Sequence, residues 1–276
     1  MMMHSVSRAA LAALRERLDE VAGRFSTSAG LVGLADDVYA VAGLLATQPR
    51  LRRTLSDSTT APDGRAELAG RLFDGQLSAA SSLQLVRDAV GMHWSLPWDL
   101  VDALDAVADD ALLIAAEQDG ALDDVEDELF RFERVLDGEP RLPTIFDEDS
   151  VPAERRVALL RNLIEAKVSP VTFALLAHAV TSGHRHGIDR AIDNLLDLAA
   201  ARRDRSVARV ISAVELTAAQ YTRLGEVLGQ LYGRPISVRV AVEPEVQGGL
   251  VIRVGDEVID GSVAAQLSAA RSALAN

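Results

Sequence analysis

Residues 246–263 read VQGGLVIRVGDEVIDGSV, and this stretch decides the fold of the last part of the chain. Leu250, Ile252 and Val254 alternate with other residues, which is the period of a half-buried strand. Gly255–Asp256 follows, and a two-residue turn with glycine first is typical of a tight hairpin. The stretch therefore predicts a strand that turns back into a second short apolar run.

A phosphate-binding loop is the alternative interpretation of these glycines. A loop of the Walker type needs a lysine after its glycines and opens a helix, and a dinucleotide site needs G-x-G-x-x-G after a strand. Here no lysine follows, and Gly248–Gly249 precedes a strand instead of following one. The glycines are therefore interpreted as backbone joints, and Asp260–Ser262 as the start of a last helix over 263–274.

Upstream, residues 206–243 carry the other elements of the same module. SVARVISAVEL (206–216) is rich in Val and Ile at strand spacing, and a second strand is predicted over 236–242. Between them, Thr217 and Gln220 have the spacing of a capping box at a helix start. The predicted order over 206–276 is strand, helix, strand, strand, helix: a small α/β (β-α-β-β-α) domain.

The chain before residue 206 contains a tandem duplication. Shifted by 91 residues, 31–108 falls on 122–199 without a gap, so that Pro49, Arg50 and Leu51 meet Pro140, Arg141 and Leu142, and Arg65 meets Arg156. A fixed period of this kind is typical of repeat architectures.

Each copy predicts a series of amphipathic helices. In the second copy, apolar residues recur every three or four positions over 122–136, and further helices are predicted around 153–164, 170–180 and 188–201. One more helix, about 6–23, precedes the first copy. The fold class is mainly α, with two tandem helical bundles, 1–110 and 111–205, before the α/β domain. The helix near 99–118 could close the first bundle and open the second.

Composition restricts the function. The net charge of −13 repels polyphosphates, so nucleic acid is not an expected partner. No cysteine is present, which excludes thiolate chemistry. No signal peptide and no continuous apolar run of membrane-spanning length is recognised. The stretch 99–149 has many more carboxylates than arginines, so it is either a solvated helix face or a surface for a basic partner.

The tail resembles the C-terminal signature of the delta subunit of F-type ATP synthase, called the oligomycin-sensitivity-conferring protein in mitochondria. The residues that carry the resemblance share the pattern Pro, Gly-Gly, alternating aliphatics, Gly-Asp and Asp-Gly-Ser-Val: Pro244, Gly248, Gly249, Gly255, Asp256, Asp260, Gly261, Ser262 and Val263. The upstream stretches 123–160 and 210–236 are also similar to that family. Ordinary members have a single helical bundle, whereas this chain has two.

The resemblance implies a non-catalytic stator subunit without a cofactor. It implies that the helical part binds N-terminal segments of alpha subunits and that the C-terminal domain binds the ends of the peripheral-stalk b subunits. The protein would then lie at the cytoplasmic face of the bacterial plasma membrane, attached only through the complex. Two alternatives stay open: a helical-repeat scaffold unrelated to energy conversion, and a nucleotide-binding enzyme that uses the glycine-rich tail.

Several residues are candidates for binding sites. Leu11, Leu14 and Leu18 lie on one face of the first helix and could form either a groove wall for a partner or ordinary core. His178, His184 and His186 favour an exposed turn over a metal site, because no carboxylate stands at ligand spacing in that turn. Trp94 and Trp98 favour anchoring of a loop over a ligand platform. No G-x-S-x-G or other catalytic motif is found.

Overall fold

The computed structural model divides the chain into two compact units, Met1–Leu198 and Ala199–Asn276. The residues that it describes are 3–148, 150–182, 187–205, 207–232, 236–243, 249–254 and 257–261. The first unit is helical and the second is built on a small sheet, which confirms a mainly α fold with a C-terminal α/β domain. The boundary between the two predicted bundles, at residue 110, stays a prediction.

The described residues form the predicted helices and two further short ones, over 49–56 and 141–147, that the sequence did not predict. They are α1 (Ser5–Ala22), α2 (Ser28–Thr47), α3 (Pro49–Ser56), α4 (Pro62–Phe73), α5 (Ala80–Gly91), α6 (Pro97–Gln118), α7 (Leu122–Gly138), α8 (Arg141–Asp147), α9 (Ala153–Ile164), α10 (Pro170–Ser182), α11 (Ile188–Arg205) and α12 (Ala218–Tyr232). Proline stands at the start of α3, α4 and α6, where its missing N–H leaves no helical bond unmade.

Helix bounds in the two copies match at the offset of 91. Helix α4 covers 62–73 and α9 covers 153–164, and the starts of α6 and α11, residues 97 and 188, have the same separation. Helix α1, moved by the same offset, falls on 96–113, which lies almost entirely inside α6. Helix α6 is thus both the last helix of the first copy and the counterpart of α1 for the second.

The two copies also repeat a helix cap. In the first copy the Asp37 carboxylate accepts hydrogen bonds from the Ser78 amide at 3.0 Å and from the Ser78 hydroxyl at 2.7 Å, just before α5 begins. In the second copy Glu128 accepts from the Ser169 amide at 2.9 and 3.0 Å, just before α10. A carboxylate at a helix N-terminus satisfies free N–H groups and complements the helix dipole.

Each copy contains a buried arginine that donates hydrogen bonds to backbone carbonyls. Arg65 is 2% exposed, and its guanidinium donates to the carbonyls of Asp57, Val90, Gly91 and Met92. Its counterpart Arg156 is 5% exposed and donates to the Phe146 carbonyl at 2.8 Å. Because buried cations are tolerated where carbonyl acceptors meet them, Arg65 connects α4 to the ends of α3 and α5, and Arg156 connects α9 to α8.

Helix α6 is the centre of the helical unit. Most of its residues are buried, and it packs against α1, α2, α3 and α5 of the first bundle and against α7 and α10 of the second. Its apolar residues therefore surround the helix instead of forming one stripe, as expected for a helix enclosed on several sides. Among the described residues, α2 alone has the length and apolar composition of a membrane span. Packing of α2 against α6 accounts for that composition equally well.

The second unit contains a four-stranded sheet in the order β2-β1-β3-β4. Its strands are β1 (Val207–Ser212), β2 (Ser237–Val242), β3 (Leu250–Val254) and β4 (Glu257–Asp260). Strands β1 and β2 are parallel and connected through α12, whereas β3 pairs antiparallel with both β1 and β4. Strand β4 is an element that the predicted β-α-β-β-α order leaves out. The predicted last helix, 263–274, lies outside the described residues.

One face of this sheet forms the core of the second unit. Ala208, Val210, Val238, Ile252 and Val254 pack with Leu228 of α12. The capping box at the start of α12 is confirmed, since the Thr217 amide donates to Gln220 Oε1 at 2.9 Å and the Gln220 amide donates to Thr217 Oγ1 at 3.3 Å. The helix therefore begins where the sequence predicts it and covers one side of the sheet.

Candidate partner-binding surfaces

The outer side of α12 carries an apolar stripe that the described residues of the second unit leave exposed. Val227 and Leu231 lie on one face of the helix and are 51% and 64% exposed, and Leu224 beside them is partly buried against the core of the unit. Next to this stripe, Val214 and Leu216 help to line a groove of about 430 Å³. An exposed apolar groove beside a helix fits the apolar face of a partner helix.

The second surface of this unit is the other face of its sheet. Arg239 and Arg253 are exposed there, because they alternate with the buried Val238 and Ile252. A depression of about 360 Å³ lies over this region and is also lined by Val251. The surface combines apolar strand residues with two cations, so an acidic and apolar segment would complement it.

The glycine-rich motif lies at the turns of this sheet, as far as the structure describes it. Gly249 has φ +80° immediately before β3, a conformation that other residues rarely adopt. The Gly261 amide donates to the Leu250 carbonyl at 2.9 Å, and a Cβ on Gly261 would approach that oxygen to 3.1 Å. Asp260 ends β4 opposite Val251. Gly248, Gly255, Asp256 and Ser262 lie outside the described residues.

Helix α1 divides its apolar face between the core and the surface. Leu14 and Leu18 are 0% and 1% exposed inside the helical unit, whereas Leu11 is partly exposed and Val6 is 47% exposed. Of the three predicted partner-binding leucines, Leu11 is the one a partner reaches without displacing the core. Binding at this face stays a prediction.

The acidic stretch continues onto neighbouring helices. Burial raises the pKa of Glu133 on α7, and the nearby carboxylates of Asp193 and Asp137 raise it further. Burial likewise raises the pKa of Asp189 on α11, with Asp147, Asp137 and Asp193 adding to the effect. These acids repel one another and make a negative surface, and binding of a cationic partner would reduce that repulsion.

A polar cluster lies where helices of the two copies meet. The Tyr39 hydroxyl of α2 donates to Asp109 Oδ1 of α6 at 2.5 Å, and the Tyr39 ring stacks on the His178 ring of α10 with 3.7 Å between centroids. His178 Nε2 lies 3.1 Å from Asp105 Oδ1, one turn before Asp109. Spacing in the sequence gives no sign of this cluster, because its members come from three distant helices.

The two tryptophans make contacts within the helical unit. Trp94 is 3% exposed and its indole N–H donates to the Ala89 carbonyl, so it anchors the loop before α6. Trp98 is partly exposed, with the Arg52 guanidinium 3.7 Å from its ring centroid. Within the described part of the chain no group of three potential metal ligands occurs. His184 and His186 lie outside that part.

The fold and these surfaces define a docking protein: a helical body and a small α/β module with exposed apolar grooves. The comparison with protein families agrees, since the model of the ATP synthase delta (OSCP) subunit matches residues 109–274. That range begins inside α6 and covers the second bundle and the tail.

Curated relatives extend the match to the whole chain. "ATP synthase subunit delta" of Frankia alni is 44% identical over 276 residues, with 99% of each chain covered. The protein of the same name from Streptomyces avermitilis is 43% identical, with 100% of each chain covered. "ATP synthase subunit b-delta" of Mycobacterium sp. strain KMS is 42% identical over 99% of this chain, which spans 61% of that protein.

The chain therefore belongs to the ATP synthase delta (OSCP) subunit family. It is a non-catalytic stator subunit of the peripheral stalk and not an enzyme. The first copy, which lies before the region matched by the family model, is also present in the relatives that match over the full length.

Proposed function

We propose that the chain connects the head of a proton-translocating F-type ATP synthase to its peripheral stalk by means of two separate docking parts. The C-terminal domain, 206–276, binds the ends of the b subunits, and the bundles 1–110 and 111–205 bind N-terminal segments of the alpha subunits. The complex places the chain at the cytoplasmic face of the bacterial plasma membrane.

The apolar stripe of α12 is the observation that carries the b-subunit contact. Val227 and Leu231 are more than half exposed on a unit of modest size, next to the groove lined by Val214. Exposed apolar patches of this kind mark protein interaction sites. The Mycobacterium relatives named b-delta support the same partner, since their name joins the two subunits in one chain.

The test is a calorimetric titration of the full chain with the soluble C-terminal part of the b subunit. Val227→Asp combined with Leu231→Asp places two charges in the stripe and is expected to weaken binding about tenfold or more, the effect of losing central apolar contacts. Thr222→Asp, on another exposed face of α12, is the matched control and is expected to bind as the unchanged chain does. Equal affinities of all three chains would remove the assignment.

Binding of the alpha subunits is tested separately, with a labelled peptide from the alpha N-terminus. Leu11→Asp is expected to weaken its binding, because Leu11 is the accessible leucine of the α1 face. Ala13→Asp puts the same charge on an exposed position of the same helix and is the control. If the peptide binds with one affinity to both variants, the groove lies elsewhere on the helical unit.

A further inference from the structure

The polar cluster of Tyr39, Asp105, Asp109 and His178, here named the junction cluster, connects helices of the two copies. Tyr39 comes from the first copy, His178 from the second, and the two acids from the shared helix α6. Each side chain is partly or largely shielded from water, and the side chains of His178 and Asp105 are 15% and 14% exposed. Charge changes inside this cluster therefore act on the contact between the copies.

The surroundings of Asp109 are rich in negative charge. Asp105 and Asp110 lie on the same helix, and Asp36 and Asp37 lie on α2, next to Tyr39. Asp110 is engaged by Arg15 of α1, whose Nε is 2.8 Å from Asp110 Oδ2, and Asp37 by the Ser78 cap. From α10, the His178 ring faces this group of carboxylates, with Nε2 3.1 Å from Asp105 Oδ1.

The duplication indicates that the fold does not require these acids. At the offset of 91, Asp105 and Asp109 correspond to Leu14 and Leu18 of α1, which are buried core residues of the first bundle. The same positions of equivalent helices thus hold apolar residues in one bundle and carboxylates in the other. The acids are specific to the place where the second bundle meets the first.

We propose that the junction cluster is a proton-dependent contact between the two helical copies: it binds one proton, and the protonated cluster holds α2, α6 and α10 together more firmly than the deprotonated one. When the proton is bound, Asp105 and Asp109, which lie one turn apart on α6, no longer present two uncompensated negative charges. The Asp109–Tyr39 and Asp105–His178 contacts are kept. Without the proton, the repulsion between these carboxylates opposes the packing of the copies.

The direction in which the pKa of Asp109 is shifted agrees with the proposal. Burial raises its pKa from the ordinary 3.8 to about 7, with Asp105 and Asp110 adding to the rise and with His178 and the Tyr39 hydrogen bond opposing it. A folded state with the higher pKa binds a proton that the unfolded chain has released. The resulting stabilisation is complete below pH 3.8 and is lost as the pH rises through about 7.

The experiment compares the pH dependence of unfolding of the full chain with that of two variants. The unchanged chain is expected to lose stability as the pH rises from about 4 to about 7 and to change little above that. Asp109→Asn, which keeps an acceptor for Tyr39 but carries no charge, is expected to lack this loss and to be more stable than the unchanged chain at pH 8. Asp127→Asn, at an exposed position of α7, controls for the removal of one carboxylate. Parallel profiles of the unchanged chain and Asp109→Asn would overturn the proposal.

A second measurement tests the proposal even if Asp109→Asn folds poorly. Carbon-13 NMR of aspartate carboxyl groups in the unchanged chain is expected to show one resonance that titrates near neutral pH. Tyr39→Phe removes a hydrogen bond that favours the charged carboxylate, so it is expected to move that midpoint upward. If every carboxyl resonance titrates below pH 5, or if Tyr39→Phe leaves the midpoint unchanged, the junction cluster is not the proton-binding site.

Discussion

At the residue scale, the glycines of the tail show how a functional motif can be a structural one. The sequence excluded a phosphate loop by the missing lysine and by the strand that follows Gly248–Gly249. The two glycines of the motif that the structure describes lie at turns of the backbone. Gly249 has a positive φ, and Gly261 lies against the Leu250 carbonyl. Sequence reasoning worked here because turn chemistry is local and depends on few neighbours.

Gly249→Ala is expected to destabilise the second unit by about 1 kcal/mol, because φ +80° is unfavourable for a residue with a Cβ. Denaturant unfolding of the full chain, followed by hydrogen exchange of the strands, measures the effect. Gly225→Ala in α12 is the control of opposite sign. Its new methyl would make ordinary contacts at 3.8 and 3.9 Å, and alanine is the better helix former. Equal effects of both variants would contradict the argument from φ.

At the element scale, the sequence predicted helices and strands well wherever a local signal marked their ends. Proline starts, the Thr217–Gln220 capping box and the apolar period placed most elements within a few residues. Strand β4 has a weaker signal, since only Val258 and Ile259 mark it. The junction cluster could not be predicted at all, because its residues meet only after α2, α6 and α10 have packed.

The cap of α5 by α2 offers a test at this scale. Burial alone would raise the pKa of Asp37, but hydrogen bonds, including those from Ser78 and the Ala79 amide, hold it below the ordinary 3.8. A lowered folded pKa gives stabilisation that is present above 3.8 and is lost as the pH falls through the folded value. Asp37→Ala is expected to lower the free energy of unfolding by about 1 kcal/mol at pH 7. The loss should be smaller below pH 3.8, where the stabilisation by the carboxylate disappears.

Glu128→Ala is the matched variant of the second copy, where the same cap stands before α10. Urea unfolding at several pH values measures both variants. A similar loss in each would show that the duplicated contact has kept its role in both bundles. No change in either variant at pH 7 would mean that solvent replaces the carboxylate at these helix ends.

At the scale of the whole molecule, the shared helix α6 determines which deletion can remove one helical copy and leave a complete bundle. A deletion of residues 26–116 removes one complete period and joins α1 to the segment before α7. Helix α1 then takes the place of α6, and Leu14 and Leu18 occupy the positions of Asp105 and Asp109. The second bundle would regain an apolar first helix, as the first bundle has now.

This deletion is expected to leave a folded chain that binds the soluble part of the b subunit within about twofold of the unchanged affinity, because the α12 stripe is untouched. The chain should also have lost the pH-dependent stability assigned to the junction cluster, since both acids are gone. A deletion of 26–106, which breaks the period, is expected to fold poorly and is the control. If the in-register chain folds but no longer binds the b subunit, the stalk contact needs the first bundle, and the division of roles between the helical unit and the tail is wrong.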